Sequence, residues 1–139
     1  MEKPKEIIEL EKHYGIELKE ISTKKNLFDS QNSFHCDKNR NIIELNLSKN
    51  KITVISGLDN LTNLTELYLH KNQISSISGL DKLTNLTKLH LSYNQISSIS
   101  GLDKLKNLTN KTPAAVARKK EIAPNMNIFK ESHVRNCVA

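Results

Sequence analysis

The chain has 139 residues, a formal net charge of +6 and a hydrophobic fraction of 37%. This length suits one domain with flanking segments, and no run approaches the ~18 apolar residues that a membrane-crossing helix needs. The N-terminus lacks the apolar stretch of ~7–15 residues that a secretory signal carries, so we predict a cytoplasmic protein without a transmembrane segment.

A helix is predicted over residues 4–14. Pro4 suits the first turn of a helix, and Gly15 suits the position just past its end. Ile7, Leu10 and Tyr14 recur at helical spacing, which gives the helix one apolar face. A repeat protein needs such an end piece to shield the core of its first repeat. We therefore interpret residues 1–38 as an N-terminal helical cap region.

The rest of this cap region is polar, with scattered apolar residues. The alternation of Ile16, Leu18 and Ile21 indicates a short extended segment. Residues 22–38 are expected to be anchored by three apolar side chains, Leu27, Phe28 and Phe34.

Three copies of a 22-residue sequence repeat follow, at residues 39–60, 61–82 and 83–104. The second and third copies are identical at 18 of 22 positions, and the first matches the second at 12 of 22. Self-similarity at a fixed period of this length is typical of a solenoid, in which each copy buries its apolar side against its neighbours.

Each copy separates core positions from positions on the opposite side of a short strand. Its L-x-L step alternates, so the leucines point to one side and the residues between them to the other. A recurring Asn stands where the chain leaves the strand, and its amide can bond backbone groups there. A recurring Gly is expected to adopt a left-handed backbone conformation. These residues are Leu45, Leu47, Leu67, Leu69, Leu89 and Leu91; Asn50, Asn72 and Asn94; and Gly57, Gly79 and Gly101.

The periodicity stops soon after a fourth copy begins at residues 105–110. Lys111 stands where a strand leucine is expected, and Pro113 follows where a backbone N–H is wanted. We predict that residues 111–139 form a basic, disordered tail. Residues 105–139 carry seven Lys and Arg against two Glu, a net charge of +5, which leaves +1 for residues 1–104.

The basic cluster at Arg118, Lys119 and Lys120 raises the alternative of contact with nucleic acid or an anionic membrane. Aromatic residues that could stack on bases are not interleaved with it, so we expect a solvated tail and no nucleic-acid partner.

The repeat pattern L-x-x-L-x-x-L-x-L-x-x-N-x-I-x-x-I-x-G-L-x-x resembles the leucine-rich repeat. Its length and its I-x-x-I-x-G-L half are similar to the short subclass found in bacterial internalins and in a phosphatase regulatory subunit. The resemblance implies an α/β-type solenoid, a right-handed coil with parallel strands on its concave face. The N-terminus through residue 52 also resembles bacterial leucine-rich-repeat proteins, some of which continue into a Roco GTPase module. The chain has no G-x-x-x-x-G-K-[ST] motif for such a module.

The resemblance implies a non-catalytic protein–protein interaction module that binds through the concave strand face. Three of the four differences between the second and third copies fall on that face, as expected for a binding surface diversified on a constant scaffold. Free drift of solvent-exposed positions is the alternative. Tyr68 and His90 are the expected anchors, since aromatic and similar residues dominate interface energy. The predicted partner-binding residues form three columns: Glu44, Glu66 and Lys88; Asn46, Tyr68 and His90; Ser48, His70 and Ser92.

No enzyme, cofactor or metal site is expected from these residues. His70 and His90 lie on adjacent predicted strands, but a metal would want a third ligand and supporting groups. We expect a monomer that binds a protein partner. A different function is also open: the abrupt end of the repeats would suit a truncated N-terminal fragment of a longer leucine-rich-repeat signalling protein, with no independent activity.

Overall fold

A computed structural model describes residues 2–22, 27, 29–97 and 100–108 and the backbone of residues 125–128. Along the chain lie the helix α1 (Lys5–Tyr14) and the strands β1 (Lys19–Glu20), β2 (Ser33–Cys36), β3 (Ile42–Asn46), β4 (Glu66–Tyr68), β5 (Lys88–Ser92) and β6 (Asn125–Ile128). The strands form one sheet in the order β1-β2-β3-β4-β5-β6.

The predicted N-terminal helix is confirmed as α1, and it is fastened to the first repeat. Pro4 precedes its first residue, and Gly15 ends it in a left-handed conformation with φ 66°. Ile7 and Leu10 are buried in the core shared with the repeats. The Tyr14 hydroxyl donates to the Ser56 carbonyl oxygen at 2.5 Å and accepts the Ser56 N–H at 3.0 Å.

Each repeat contributes one strand to a parallel ladder. β3 pairs with β4 and β4 with β5, with Leu45, Leu67 and Leu89 opposite one another. The strand leucines predicted for the core are at most 1% exposed. One apolar core runs on this side of the sheet from the cap helix to Leu108. This arrangement is the leucine-rich-repeat solenoid that the sequence predicted.

The turns after the strands behave as predicted. The Asn72 side-chain oxygen accepts the backbone N–H groups of Asn50 and Ile52 at 2.9 and 3.0 Å. Its side-chain nitrogen donates to the carbonyl oxygens of Leu47 and Leu69 at 3.1 and 3.0 Å. Gly79 has φ 75°, and a Cβ there would lie 2.6 Å from the Ile55 carbonyl oxygen. The recurring residues are therefore required by backbone geometry.

Two strands at the ends of the ladder were not indicated by the sequence. β2 runs antiparallel to β3 and contributes Phe34, one of the predicted anchors, to the core. β6 runs antiparallel to β5 at the other end of the sheet. Residues 109–124 and 129–139, with the Arg118–Lys120 cluster, lie outside the described residues, as do Phe28 and Ile99.

The longest helix in the described part of the chain, α1, has 10 residues. A membrane-spanning helix, long and apolar enough for that task, is not found in that part.

Candidate functional site

The nine predicted partner-binding residues do line one side of the sheet, which we call the strand face. Glu44, Glu66 and Lys88 stand opposite one another on β3, β4 and β5. Asn46, Tyr68 and His90 form the second column in the same way. In the third column the Ser48 hydroxyl lies 2.8 Å from His70 Nδ1. Because the strands are parallel and in register, a 22-residue period places equivalent side chains side by side.

The expectation that the strand face is solvent-exposed is wrong at seven of its nine positions. Only Glu66 and Lys88 are half-buried, with 16% and 36% of their side-chain surfaces exposed. Part of the reason lies in the cap region: the Asn46 side chain donates to the Leu27 carbonyl oxygen at 2.6 Å. Leu27 is 2% exposed although it does not belong to the core under the sheet. Residue 27 therefore packs over the strand face at β3.

A polar cluster occupies the middle of the strand face. The Tyr68 hydroxyl donates to a Glu66 carboxylate oxygen at 2.5 Å, and the other oxygen lies 3.2 Å from the Lys88 ammonium. The Tyr68 ring stacks on the His90 ring with 4.4 Å between centroids and 23° between planes. The second and third copies differ at three positions on this face, and the four residues at two of these positions thus contact one another across β4 and β5.

Burial controls the protonation of this cluster. Desolvation lowers the pKa of His90 to about 3, and the neighbouring His70 and Lys88 act in the same direction. Desolvation and the nearby Lys49 and Lys71 lower the pKa of His70 to about 4. Burial, followed by the hydrogen bond to Glu66, raises the pKa of Tyr68. At neutral pH both imidazoles and the phenol are uncharged, which leaves Glu66 and Lys88 as the paired charges of the cluster.

Among the described residues, the most exposed aromatic side chain near the strand face is Tyr93, which is 50% exposed. Tyr93 follows β5 with φ 57°, and Lys71 holds the equivalent place after β4 with φ 55°. The Lys71 ammonium lies 5.6 Å from the centre of the Tyr93 ring. The sequence analysis chose Tyr68 and His90 as anchors and did not include Lys71 or Tyr93 among the partner-binding residues. The sequence contained one indication of this pair: Lys71 and Tyr93 occupy the fourth position at which the second and third copies differ.

The buried and the solvent-exposed groups of the strand face differ in their chemistry. The Ser48 hydroxyl and the His70 imidazole are as close as a nucleophile and its base, but both residues are buried, with 1% and 6% of their surfaces exposed. Among the described residues, no three His, Cys, Asp or Glu side chains are grouped to hold a metal ion. The groups that solvent reaches are the Glu66 carboxylate paired with the Lys88 ammonium, and the Lys71 ammonium beside the Tyr93 ring.

Comparisons with known families and structures agree on the repeats. Models described as "Leucine Rich repeats (2 copies)" and "Leucine Rich repeat" match residues 40–82 and 82–102. An internalin (inlF) from Listeria monocytogenes is 34% identical with a TM-score of 0.43, over 55% of this chain and 25% of that chain. An internalin C2 (inlC2) from the same organism is 28% identical with a TM-score of 0.48, over 68% of this chain and 50% of that chain. The chain thus spans a quarter and a half of these two structures, and no curated protein sequence matches it significantly.

Proposed function

We propose that this chain, whose residues 40–102 are leucine-rich repeats, is a non-catalytic protein-interaction module that binds a partner at its strand face. The observation that carries the proposal is the polar cluster of Glu66, Tyr68, Lys88 and His90. It lies on the side of the sheet opposite the leucine core.

The folding of the repeats does not require this cluster. The leucines, asparagines and glycines that build each coil are the same in the second and third copies, whereas three strand-face positions differ. The hydrogen bond and the ion pair of the cluster mainly offset the cost of removing its polar groups from water, so the cluster adds little net stability to the sheet. Its composition is better explained by recognition, with the differing residues setting which partner fits.

Exposure indicates where the partner makes first contact. Glu66 and Lys88 reach solvent from the cluster itself, and Lys71 and Tyr93 are exposed at the ends of the same two strands. Tyr68 lies beneath this surface and holds the Glu66 carboxylate in place. The partner therefore contacts the exposed four, while Tyr68 and His90 position them.

Site-specific photo-crosslinking tests this proposal. A photo-reactive residue at position 88 or 93 should capture the same protein from a native lysate. Val54 provides the matched control because it is 61% exposed but belongs to a turn away from the strand face. The captured protein should not crosslink to a probe at position 54.

Two substitutions then decide whether the cluster is responsible. Tyr68→Ala removes the hydrogen bond to Glu66 and should weaken binding of the captured protein by about tenfold, the equivalent of ~1.4 kcal/mol. His90→Ala removes the ring on which Tyr68 stacks and should act in the same direction. Binding that neither substitution changes, or equal crosslinking from positions 54 and 88, would contradict the proposal.

A further inference from the structure

The outer edge of β5 carries a strand that is not part of a repeat. β4 and β5 each run parallel to the strand before them and are displaced from it by 22 residues. β6 runs the other way, with Met126 opposite Leu91 and Ile128 opposite Leu89. Its sequence, Asn-Met-Asn-Ile, lacks the L-x-L step. β6 therefore occupies the edge at which a fourth repeat strand would otherwise pair.

The register identifies which backbone groups hold β6. The carbonyl oxygens of His90 and Ser92 face β4, where they accept the N–H groups of Leu69 and Lys71 at 2.8 and 2.9 Å. Alternate residues of a strand direct their backbone groups to opposite sides, so Leu89 and Leu91 face β6. Their partners Ile128 and Met126 are consequently at the hydrogen-bonded positions of the antiparallel pair.

We infer that the outer edge of β5 is a docking edge for an extended peptide segment of a protein partner, with β6 as its intramolecular occupant. An open strand edge is a template for another strand, and main-chain hydrogen bonds supply most of the affinity in such pairing. β6 shows that the edge accepts a strand in the antiparallel direction and with a sequence unrelated to the repeats. The inference concerns the sheet edge and does not depend on the strand face being a binding surface.

The four-residue pairing makes β6 a replaceable occupant. Its main advantage over a separate peptide is its covalent connection to the repeats, since a linked segment competes at an effective concentration on the order of millimolar. A partner that pairs over a longer stretch of β5 would overcome that advantage.

Proline substitutions in the full chain test the backbone pairing. Met126→Pro removes an N–H that faces Leu91, whereas Asn127→Pro removes an N–H that faces away from β5. The two variants share the proline and its restriction of the preceding residue to extended backbone, so they differ mainly in the lost hydrogen bond. Met126→Ala keeps the N–H and controls for the side chain.

Amide hydrogen exchange is the first measurement. Exchange at Leu89 and Leu91 should become at least about tenfold faster in Met126→Pro and stay near the wild-type rate in Asn127→Pro and Met126→Ala. Exchange at Leu67, inside the sheet, should not change. Equal rates at Leu89 and Leu91 in all four proteins would overturn the inference. Faster exchange at Leu67 as well would also overturn it, because β6 would then be a structural cap that the repeats cannot release.

Peptide binding is the second measurement, and its probe is a synthetic peptide of residues 123–130. The peptide should bind the Met126→Pro chain at least about tenfold more tightly than the wild-type chain, where β6 competes. A peptide carrying the same Met126→Pro change should not bind. Equal affinity for both chains, or binding of the proline peptide, would overturn the assignment of β5 as a docking edge.

Discussion

At the scale of single residues, His70 and His90 are distinctive because they are buried as neutral side chains. Each is 6% exposed, and their pKa values of about 4 and 3 lie below the ordinary value of 6.5. The Ser48 hydroxyl beside His70 and the Tyr68 ring on His90 contact these imidazoles without adding a negative charge. Protonation of either imidazole would place a positive charge on the buried strand face, where desolvation and neighbouring lysines oppose it.

The chain should lose stability as the solution is acidified below neutral pH. Because both pKa values are lowered on folding, the unfolded chain binds more protons below pH 6.5, and the free energy of unfolding falls as pH falls through that value. Between pH 7 and 5 we expect a loss of about 2 kcal/mol for each histidine. Urea unfolding followed across this range measures the loss. The double variant His70→Gln, His90→Gln should show a much flatter dependence, and an unchanged dependence would contradict burial of the two imidazoles.

At the scale of the repeat element, a ladder of asparagines joins each turn to the next. Asn94 repeats the bonding of Asn72: its side chain accepts the Ile74 N–H at 2.9 Å and donates to the Leu69 and Leu91 carbonyl oxygens at 2.8 and 3.1 Å. One side chain thus satisfies backbone groups of two consecutive coils. This explains why the position does not vary among the three copies.

Asn72→Ala should strongly destabilise the solenoid. The substitution leaves the backbone N–H groups of Asn50 and Ile52 without their acceptor. It also removes one donor from the Leu47 and Leu69 carbonyl oxygens, which keep the bonds from Asn50 and Asn94. We expect a cost of at least about 2 kcal/mol in chemical unfolding, since each of the two unsatisfied N–H groups costs ~1–3 kcal/mol. Asn85→Ala is the matched control, because exposed Asn85 donates one bond, to the Thr62 carbonyl oxygen at 2.9 Å. Similar costs for the two variants would contradict the ladder.

At the scale of the whole molecule, the accessible surface of the proposed binding site is small. A standard protein–protein interface uses ~20–30 residues on each side and buries ~800 Å² per partner. The strand face has nine predicted residues, of which seven are buried. Even with Lys71 and Tyr93 added, one partner would contact only a fraction of a standard interface.

We therefore expect micromolar or weaker affinity between this chain and the partner captured at position 88. Insertion of a further copy of residues 61–82 after residue 82 should tighten binding, because it adds another strand bearing Glu66, Tyr68 and His70 equivalents to the same face. Isothermal titration of both proteins with that partner measures the difference. Nanomolar affinity of the native chain would indicate that the contact extends well beyond the strand face.

The sequence alone determined the repeat architecture, because that architecture depends on local and periodic interactions. Core leucines, turn asparagines and left-handed glycines recur at a constant offset. The contacts predicted for one copy therefore hold for its neighbours as well. The columns of the strand face followed for the same reason: a 22-residue period in parallel strands can place Tyr68 only beside His90 and Asn46.

Only the tertiary structure decided what covers the strand face and what pairs with the ends of the sheet. Periodicity assigns a side chain to one side of a strand but does not reveal what lies against that side, so the burial of Tyr68 and the packing of Leu27 near Asn46 could not be anticipated. β2 and β6 are non-local pairings without a repeated pattern, and their backbone hydrogen bonds place few demands on side-chain identity. The physical reason is that contacts between repeats join residues a constant 22 positions apart, which the sequence shows as a period. The strand pairings at the two ends of the sheet do not follow this period, so the sequence does not reveal them.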